Sequence, residues 1–378
     1  MRVLALNCGS SSIRCAVIDT DGGRRGAVRH EELAGRTHEA VLADWTEAWR
    51  NSESAEIRNV EAIGHRVVYG GESFRTAAAI DIEVIGRIEA VSHQAPLHNP
   101  ANLAGIRALS AAFPELPQVA VFDTAFHHSL PAHAFLYALP YAFYKEHGFR
   151  RYGFHGSSHR SAAEAARDRL GLPMEGSRVL VAHLGNGCSA AAVRNGLSID
   201  TTMGASPLEG LVMGTRSGDI DPSLGERIAE IRGLDFAGVT KLLNRESGLL
   251  GLSELSGDMR ELEEAARKGH EGALRAIEVF TYRLAKALAS LVVPLAGLDA
   301  LVFTGGIGEN SAQVRQRTVS WLLPLGLAID ATRNARHGEE HGGLVSPDGQ
   351  TPVLVVPSDE EAAIAAETAA ALGEAERS

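Results

Sequence analysis

The sequence predicts an α/β protein made of two related halves, and three observations carry the prediction. Val3 to Val17 and Val179 to Val193 align without a gap, Gly9 falling on Gly185, and each opens with Val-Leu and closes with Ala-Val around a polar, glycine-containing turn. A strand-turn-strand unit used twice is the mark of an internal repeat. Further apolar runs at Ala62 to Val68, Gln118 to Phe122, Leu298 to Phe303 and Pro352 to Val356 each stop at glycines or an acidic residue and alternate with amphipathic helical stretches. The 378 residues suffice for about two domains, each with its own core.

Composition removes several function classes. A formal charge of −11 with no Lys/Arg run argues against nucleic-acid binding, so positive charge for anionic ligands must be concentrated locally. No stretch approaches the roughly 20 apolar residues of a membrane span, and no apolar leader follows Arg2. Cys8, Cys15 and Cys188 lack metal spacing and are too few for a disulfide framework, which fits a reducing compartment and a cytoplasmic location. Neither GxGxxG nor GxxxxGK[ST] occurs, which removes Rossmann and P-loop readings.

Taken in order, the first hairpin turn offers backbone N–H groups around Gly9, hydroxyls on Ser10 and Ser12, and the Asn7 amide oxygen for a metal or its waters. Asp19 to Glu61 shows a hairpin near Asp21-Gly22-Gly23 and an amphipathic helix over His38 to Arg50, with no chemistry assigned. The next run carries His65 and Arg66 into a glycine turn; an arginine in an apolar strand is costly unless paired, by a bound anion or by a buried carboxylate. Ala95 to Asn102 turns into a helix over Leu103 to Ala112, and the strand Gln118 to Phe122 ends at Asp123, a ligand residue or a helix cap.

His155 and His159 stand at i, i+4, a zinc-like spacing. Gly156 and two serines nevertheless make a helix start there, Ser157 or Ser158 capping Ala162 to Leu170, so the histidines need not share a face. The strand Val179 to Ala182 stops at His183-Leu-Gly-Asn-Gly187, a turn suited to anions, before Cys188 to Val193. Arg216 stands between glycines in Met213 to Pro222, where a guanidinium can fork onto phosphate or carboxylate oxygens or simply form a surface ion pair. Ser256 to Glu263 opens one amphipathic helix, and Gly272 to Val293 is another of about six turns. Leu298 to Ser311 reads as strand, glycine turn, and a helix capped by Asn310 or Ser311, a place to seat a nucleoside. Pro352 to Glu361 is a strand delivering two carboxylates, with capping as the plain alternative, and an Ala-rich helix follows.

NCGSSS, GHRVVYGGE, APLHNPANL, FDTAF, YGFHGSSH, HLGNG, TTMGASPLEGLVMGTRSG, GGIGEN and PSDEEAAIA, from Asn7 to Ala365 in that order, resemble the acetate kinase family, and the match runs over most of the chain from Val3 to Glu361. The resemblance implies the duplicated actin-like, sugar kinase and Hsp70-type (ribonuclease H-like) ATPase fold with ATP in a cleft between two domains, residues 1–124 completed by a helix over 361–378, and residues 125–360. It implies Asp123, His155 and Arg216 as catalytic residues, Arg66 as the clamp for the substrate carboxylate, and Val68, Leu97, Phe154 and Pro207 as the lining of a small apolar pocket. It further implies ATP/ADP contacts from Ser10, Ser12, Arg14, His183, Leu184, Gly185, Asn186, Gly187, Asp258, Met259, Arg260, Gly306, Ile307, Gly308, Glu309 and Asn310. Asn7 and Glu360 are the implied Mg²⁺ residues, Mn²⁺ able to substitute, and a homodimer is the implied assembly. Arg14 stands where lysine is common, Tyr69 replaces a usual histidine, Asp359 replaces an asparagine, and the region from Val17 to His65 is short for the family.

The implied reaction is reversible in-line transfer of the ATP γ-phosphoryl group to acetate. A carboxylate near pKa ~4–5 is already ionised at neutral pH and needs no general base, so Asp123 is expected to organise magnesium waters or to orient Arg66. Propionate or butyrate kinases would share the machinery and differ in pocket volume. A non-kinase ATPase would not need Arg66 with Arg216, and a sugar kinase would need a base and a polar sugar site.

Overall fold

The computed structural model describes residues 1–9, 12–21, 24–51, 55–96 and 98–375. It forms two compact units, one of Met1–His128, Gly156–Ser158 and Asp359–Ser378, the other of Ser129–His155 and His159–Ser358. The first holds β1 (Arg2–Cys8), β2 (Ser12–Asp19), β3 (Arg24–Glu32), β4 (Ala62–Val67), β5 (Ala78–Ala79) and β6 (Gln118–Phe122), in the sheet order β3-β2-β1-β4-β6-β5. The second holds β7 (Arg178–Leu184), β8 (Cys188–Arg194), β9 (Leu197–Thr201), β10 (Ala300–Thr304) and β11 (Val353–Val355), ordered β11-β10-β7-β8-β9.

Both sheets are mixed in the same way. Three antiparallel strands, β1 to β3 or β7 to β9, are extended by two strands parallel to the first, β4 and β6 or β10 and β11. Val3 pairs with Ala62 as Val179 pairs with Ala300, and Ile63 with Gln118 as Leu301 with Val353, so the strand ends carrying Asn7, Arg66 and Asp123 correspond to those carrying His183, Thr304 and Ser358. The gapless alignment of the hairpins fails at the turn. Cys8 pairs with Ile13, whereas Leu184 pairs with Cys188, so the second turn is one residue shorter and every later side chain on β8 is displaced by one position.

In the first unit, Val41, Leu42, Trp45 and Trp49 of the His38–Arg50 helix bury one sheet face against Leu4, Leu6, Ile63 and Leu109. The Glu360–Ala375 helix covers the other face, Ile364 packing with Ala5, Val119 and Val121. Gly64 permits that approach, since a Cβ there would stand 2.2 Å from Thr368 Oγ1. In the second unit the Glu271–Leu295 helix, slightly longer than its periodicity suggests, packs on β7, β8 and β9 and buries Leu284, Leu288 and Leu291. Among the described residues no helix is long and apolar enough to cross a membrane.

Two helix starts differ from expectation, and after β10 a short helix stands where a turn was expected, ahead of the helix that Ser311 caps as expected. The helix expected at Leu103 begins at Asn99, because Pro100 in its first turn is a helix-starting residue. Neither Ser157 nor Ser158 is a cap: the helix runs Gly156–Leu170, with His155 at φ 58° just before it. The Gly156 amide donates to the Asp123 carbonyl at 2.9 Å, and a Cβ would sit 2.3 Å from that oxygen, so the start is set by the β6 loop. After β10 the glycines form a short helix, Gly305–Asn310, rather than a turn, and Ser311 caps the next one, Ala312–Trp321.

Candidate active site

In the first unit four polar residues meet at the strand ends. Arg66, from β4, donates Nε to Asp123 Oδ1 at 2.9 Å and Nη2 to Asp123 Oδ2 at 2.6 Å. This answers the open question about an arginine in an apolar strand, since its partner is a buried carboxylate just past β6. Arg66 Nη1 donates to Asn7 Oδ1 at 3.2 Å and lies 3.5 Å from Glu360 Oε2, while Asn7 Nδ2 donates to the same Glu360 oxygen at 2.7 Å. Burial works against the Arg66 charge, and the carboxylates of Asp123 and Glu360 more than reverse it, so the guanidinium titrates above its ordinary range. Glu360 is held at the first turn of the C-terminal helix, where Asp359 is the capping acid, accepting from the Ala362 amide at 2.9 Å. Arg14 is directly across from Asn7 and exposed, and Ser12 is half-buried beside it, its carbonyl accepting from Gly9 N at 2.8 Å. Ser10 and Leu97 lie outside the described residues, as do Gly22 and Gly23 of the expected hairpin turn.

The segment after β4 is pinned by the two asparagines of APLHNPANL. Asn102 Oδ1 accepts from Val68 N at 3.1 Å while its Nδ2 donates to the Cys8 carbonyl at 2.9 Å. Asn99 brackets Tyr69, accepting from its amide at 3.1 Å and donating to its carbonyl at 2.9 Å. Val68 is buried, and the Tyr69 hydroxyl donates to Gln94 Oε1 at 2.5 Å.

In the second unit a different set converges on the His183–Gly187 turn. Gly185 N donates to Gly187 O at 3.0 Å, and a Cβ on Gly187 would stand 3.4 Å from both Arg216 Nη1 and His155 Nε2. His155 and His183 pack ring to ring at 4.3 Å. Arg216 Nη1 donates to the Pro207 carbonyl at 3.1 Å, and Gly214 N donates to Asn186 O at 3.0 Å, tying the arginine loop to the turn. The buried Phe154 joins the Pro207 loop because Tyr152 N and Gly153 N both donate to Gly204 O, at 3.0 and 3.2 Å.

The remaining nucleotide candidates divide by exposure. Asn186, Gly306 and Asn310 are exposed, Ile307 and Glu309 half-buried, and Leu184, Gly308 and Met259 buried, so Leu184 and Met259 can offer a ligand little beyond backbone. Asp258 caps the Met259–Arg267 helix and pairs with Arg260 at 2.6 Å, which pulls its carboxyl below the usual range. Cys8, Cys15 and Cys188 are buried, which pushes each thiol up to about 12 and removes thiolate chemistry.

The family model described as the Acetokinase family matches residues 25–366. The chain belongs to the acetokinase family. A curated acetate kinase of Stutzerimonas stutzeri (strain A1501) is 49% identical over 391 residues, covering 98% of each chain. A propionate kinase from Francisella tularensis subsp. tularensis SCHU S4 superposes with a TM-score of 0.91 at 41% identity over 98% of this chain and 99% of its own, and the Porphyromonas gingivalis acetate kinase with 0.88 at 37% over 98% and 99%. The fold is accordingly the duplicated actin-like ATPase fold of this phosphotransferase family.

Sequence reasoning missed several residues of this acetokinase-family chain. His38 Nε2 lies 2.7 Å from the Gly9 carbonyl, fixing the first hairpin tip from a segment to which no chemistry was assigned. Arg315 is fully buried and donates to the Gly308 and Glu309 carbonyls, both at 2.8 Å, satisfying the end of the Gly305–Asn310 helix. Arg151 holds the Pro207 loop, donating to the carbonyls of Thr201, Thr202 and Met203 and pairing with Glu209 at 2.6 Å. For Arg315 and Arg151 the only signal is an arginine near a glycine-rich stretch, a pattern common on surfaces, and nothing in the sequence around His38 points to the hairpin tip.

Proposed function

We propose that this member of the acetokinase family is an acetate kinase, transferring the γ-phosphoryl group of ATP to acetate, reversibly, to give acetyl phosphate and ADP. The observation that carries the reading is the held arginine: Asp123 occupies the Nε and Nη2 side of Arg66, and the longer 3.2 and 3.5 Å contacts on Nη1 are the ones a substrate carboxylate would replace. An acetate oxygen is ionised at neutral pH and attacks phosphorus directly, so Asp123 orients Arg66 and no proton need move. The obstacle is bringing an anion to a polyanion; Arg216 and His155 meet it as donors to the phosphoryl oxygens. The His183–Gly187 turn and the short Gly305–Asn310 helix, together with Ser12, Arg14 and Asp258–Arg260, are the residues proposed to contact ADP and ATP.

Mg²⁺ suits Asn7 Oδ1 and Glu360, two hard oxygen donors with the Glu360 side chain 33% exposed, because Mg²⁺ takes few protein ligands and keeps waters and phosphate oxygens. Among the described residues no three His, Cys, Asp or Glu gather to hold a metal. When bound it neutralises phosphate charge. Val68, buried two residues after Arg66, is proposed to meet the alkyl group of the substrate, and its bulk favours acetate. The two units, Met1–His128 with Gly156–Ser158 and Asp359–Ser378, and Ser129–His155 with His159–Ser358, are the two ATPase domains of a cytoplasmic homodimer, so the boundary expected after residue 360 falls before Asp359 and Glu360 belongs to the first domain. Propionate kinase is the second reading, favoured by the likeness to the Francisella propionate kinase. The test is a hydroxamate assay with ATP and Mg²⁺: acetate should yield acyl hydroxamate and glycerol should not consume ATP. Glycerol-dependent ATP consumption, or none with any short carboxylate, contradicts the proposal.

A further inference from the structure

Ser189 is the residue that the hairpin alignment concealed. Because β8 is one position out of step, Ser189 rather than Ala190 stands across from His183, the place Arg14 takes across from Asn7. Its side chain is fully buried, and its hydroxyl oxygen is 2.9 Å from His155 Nδ1 and 2.7 Å from His159 Nε2. A hydroxyl has one proton to give and lone pairs to receive, so two imidazole nitrogens on it cannot both be bare acceptors. The far side of the His155 ring, Nε2, lies 3.4 Å from the same point above Gly187 as Arg216 Nη1. A second full positive charge beside that guanidinium costs Coulomb energy, whereas a neutral ring protonated on Nε2 adds a donor without adding charge.

We infer that His159 and Ser189 form a positioning relay: His159 Nε2–H donates to Ser189 Oγ, the Ser189 hydroxyl donates to His155 Nδ1, and His155 is thereby held as its Nε2–H tautomer. His155 is then a neutral donor alongside Arg216 for the oxygens of the transferring phosphoryl group, with the His183 ring packed against it at 4.3 Å. Ser189 acts through His155 and touches no substrate. The inference rests on the proposed role of His155 in phosphoryl transfer.

The test combines kinetics with ¹⁵N spectroscopy of histidine-labelled protein, the His155 signals among the 15 histidines being assigned by their loss in His155→Gln. Wild type should show His155 with a protonated Nε2 and a bare Nδ1. Ser189→Ala should fold, since β8 is otherwise alanine-rich, shift His155 toward the Nδ1–H form, and lower kcat roughly 10- to 100-fold with KM for ATP and acetate within about threefold. Ser189→Thr, which keeps the hydroxyl, should restore the tautomer and most of kcat. A wild-type His155 protonated on Nδ1, or a Ser189→Ala protein with unchanged tautomer and kcat, overturns the relay. An inactive wild type with the expected tautomer instead overturns the acetate kinase reading and leaves the relay standing.

Discussion

At Arg66 a charge that an apolar strand could not carry alone is made affordable by Asp123, and the pairing dictates what substitution does. Arg66→Ala should raise the acetate KM by roughly 10²-fold or more while leaving the ATP KM within a few-fold, as steady-state kinetics with each substrate varied would read; unchanged acetate kinetics would remove Arg66 from the carboxylate site. It should also destabilise the fold by about 3–5 kcal/mol, because Asp123 is left buried without its cation. His65, the next residue, is the opposite case. Its side chain is buried in the core with Nε2 2.7 Å from Gln118 Oε1, and burial lowers its pKa to about 4 despite that partner. The folded state thus takes up the proton later than the unfolded chain: the stabilisation is full above about pH 6.5, is lost progressively as pH falls below that value, and is gone once pH has fallen through about 4. Denaturant titrations at pH 7 and pH 5 should show wild type losing roughly 2 kcal/mol more than His65→Gln. Parallel losses would mean that His65 does not control acid stability. Of this residue-scale picture, the sequence exposed Arg66 and Asp123 as candidates and their pairing as one of two expectations for Asp123, but not the contacts among Arg66, Asn7 and Glu360, which join positions far apart in the chain with no local signal. Ser189, Arg315 and Tyr69 with Gln94 were hidden for the same reason.

At the scale of elements, strands and long helices were legible because their apolar period is repeated over many residues, as in the His38–Arg50 helix. Helix starts were less so. The Gly156–Leu170 helix begins where a β6-loop carbonyl needs an amide and a Cβ would clash, a constraint imposed from outside the segment. The loop after β4 shows the same dependence, since Asn99 and Asn102 of the following helix supply hydrogen bonds that no residue of the loop could make for itself. Asn99→Ala leaves the amide and carbonyl of the buried Tyr69 without that partner, at about 1–3 kcal/mol for each group. Its thermal midpoint should fall by several degrees and its acetate KM should rise while the ATP KM holds. An unaltered acetate KM would separate this loop from substrate binding.

For the whole molecule, duplication is the organising fact, and the sequence disclosed it through one hairpin pair. The two sheets share strand order, direction and parallel register, yet their strand ends have diverged: Asn7, Arg66 and Asp123 in one unit, His183, Thr304 and Ser358 in the other. One copy thereby gathers a held guanidinium and carboxylates, the other a glycine turn with imidazoles and Arg216. The alignment missed the one-residue shift in β8 because alanines surround Ser189 and give a sequence comparison nothing to register against. The central claim is a kinase for the smallest apolar carboxylate, and the most direct measurement is the ratio of kcat/KM for acetate to that for propionate, in wild type and in Val68→Ala. A snug pocket penalises the extra methylene by ~1–3 kcal/mol, whereas a roomy one gains about 0.8 kcal/mol from burying it. Wild type should therefore prefer acetate, and Val68→Ala should move the ratio roughly tenfold toward propionate; a wild-type preference for propionate, or a ratio that Val68→Ala leaves unchanged, would contradict the account.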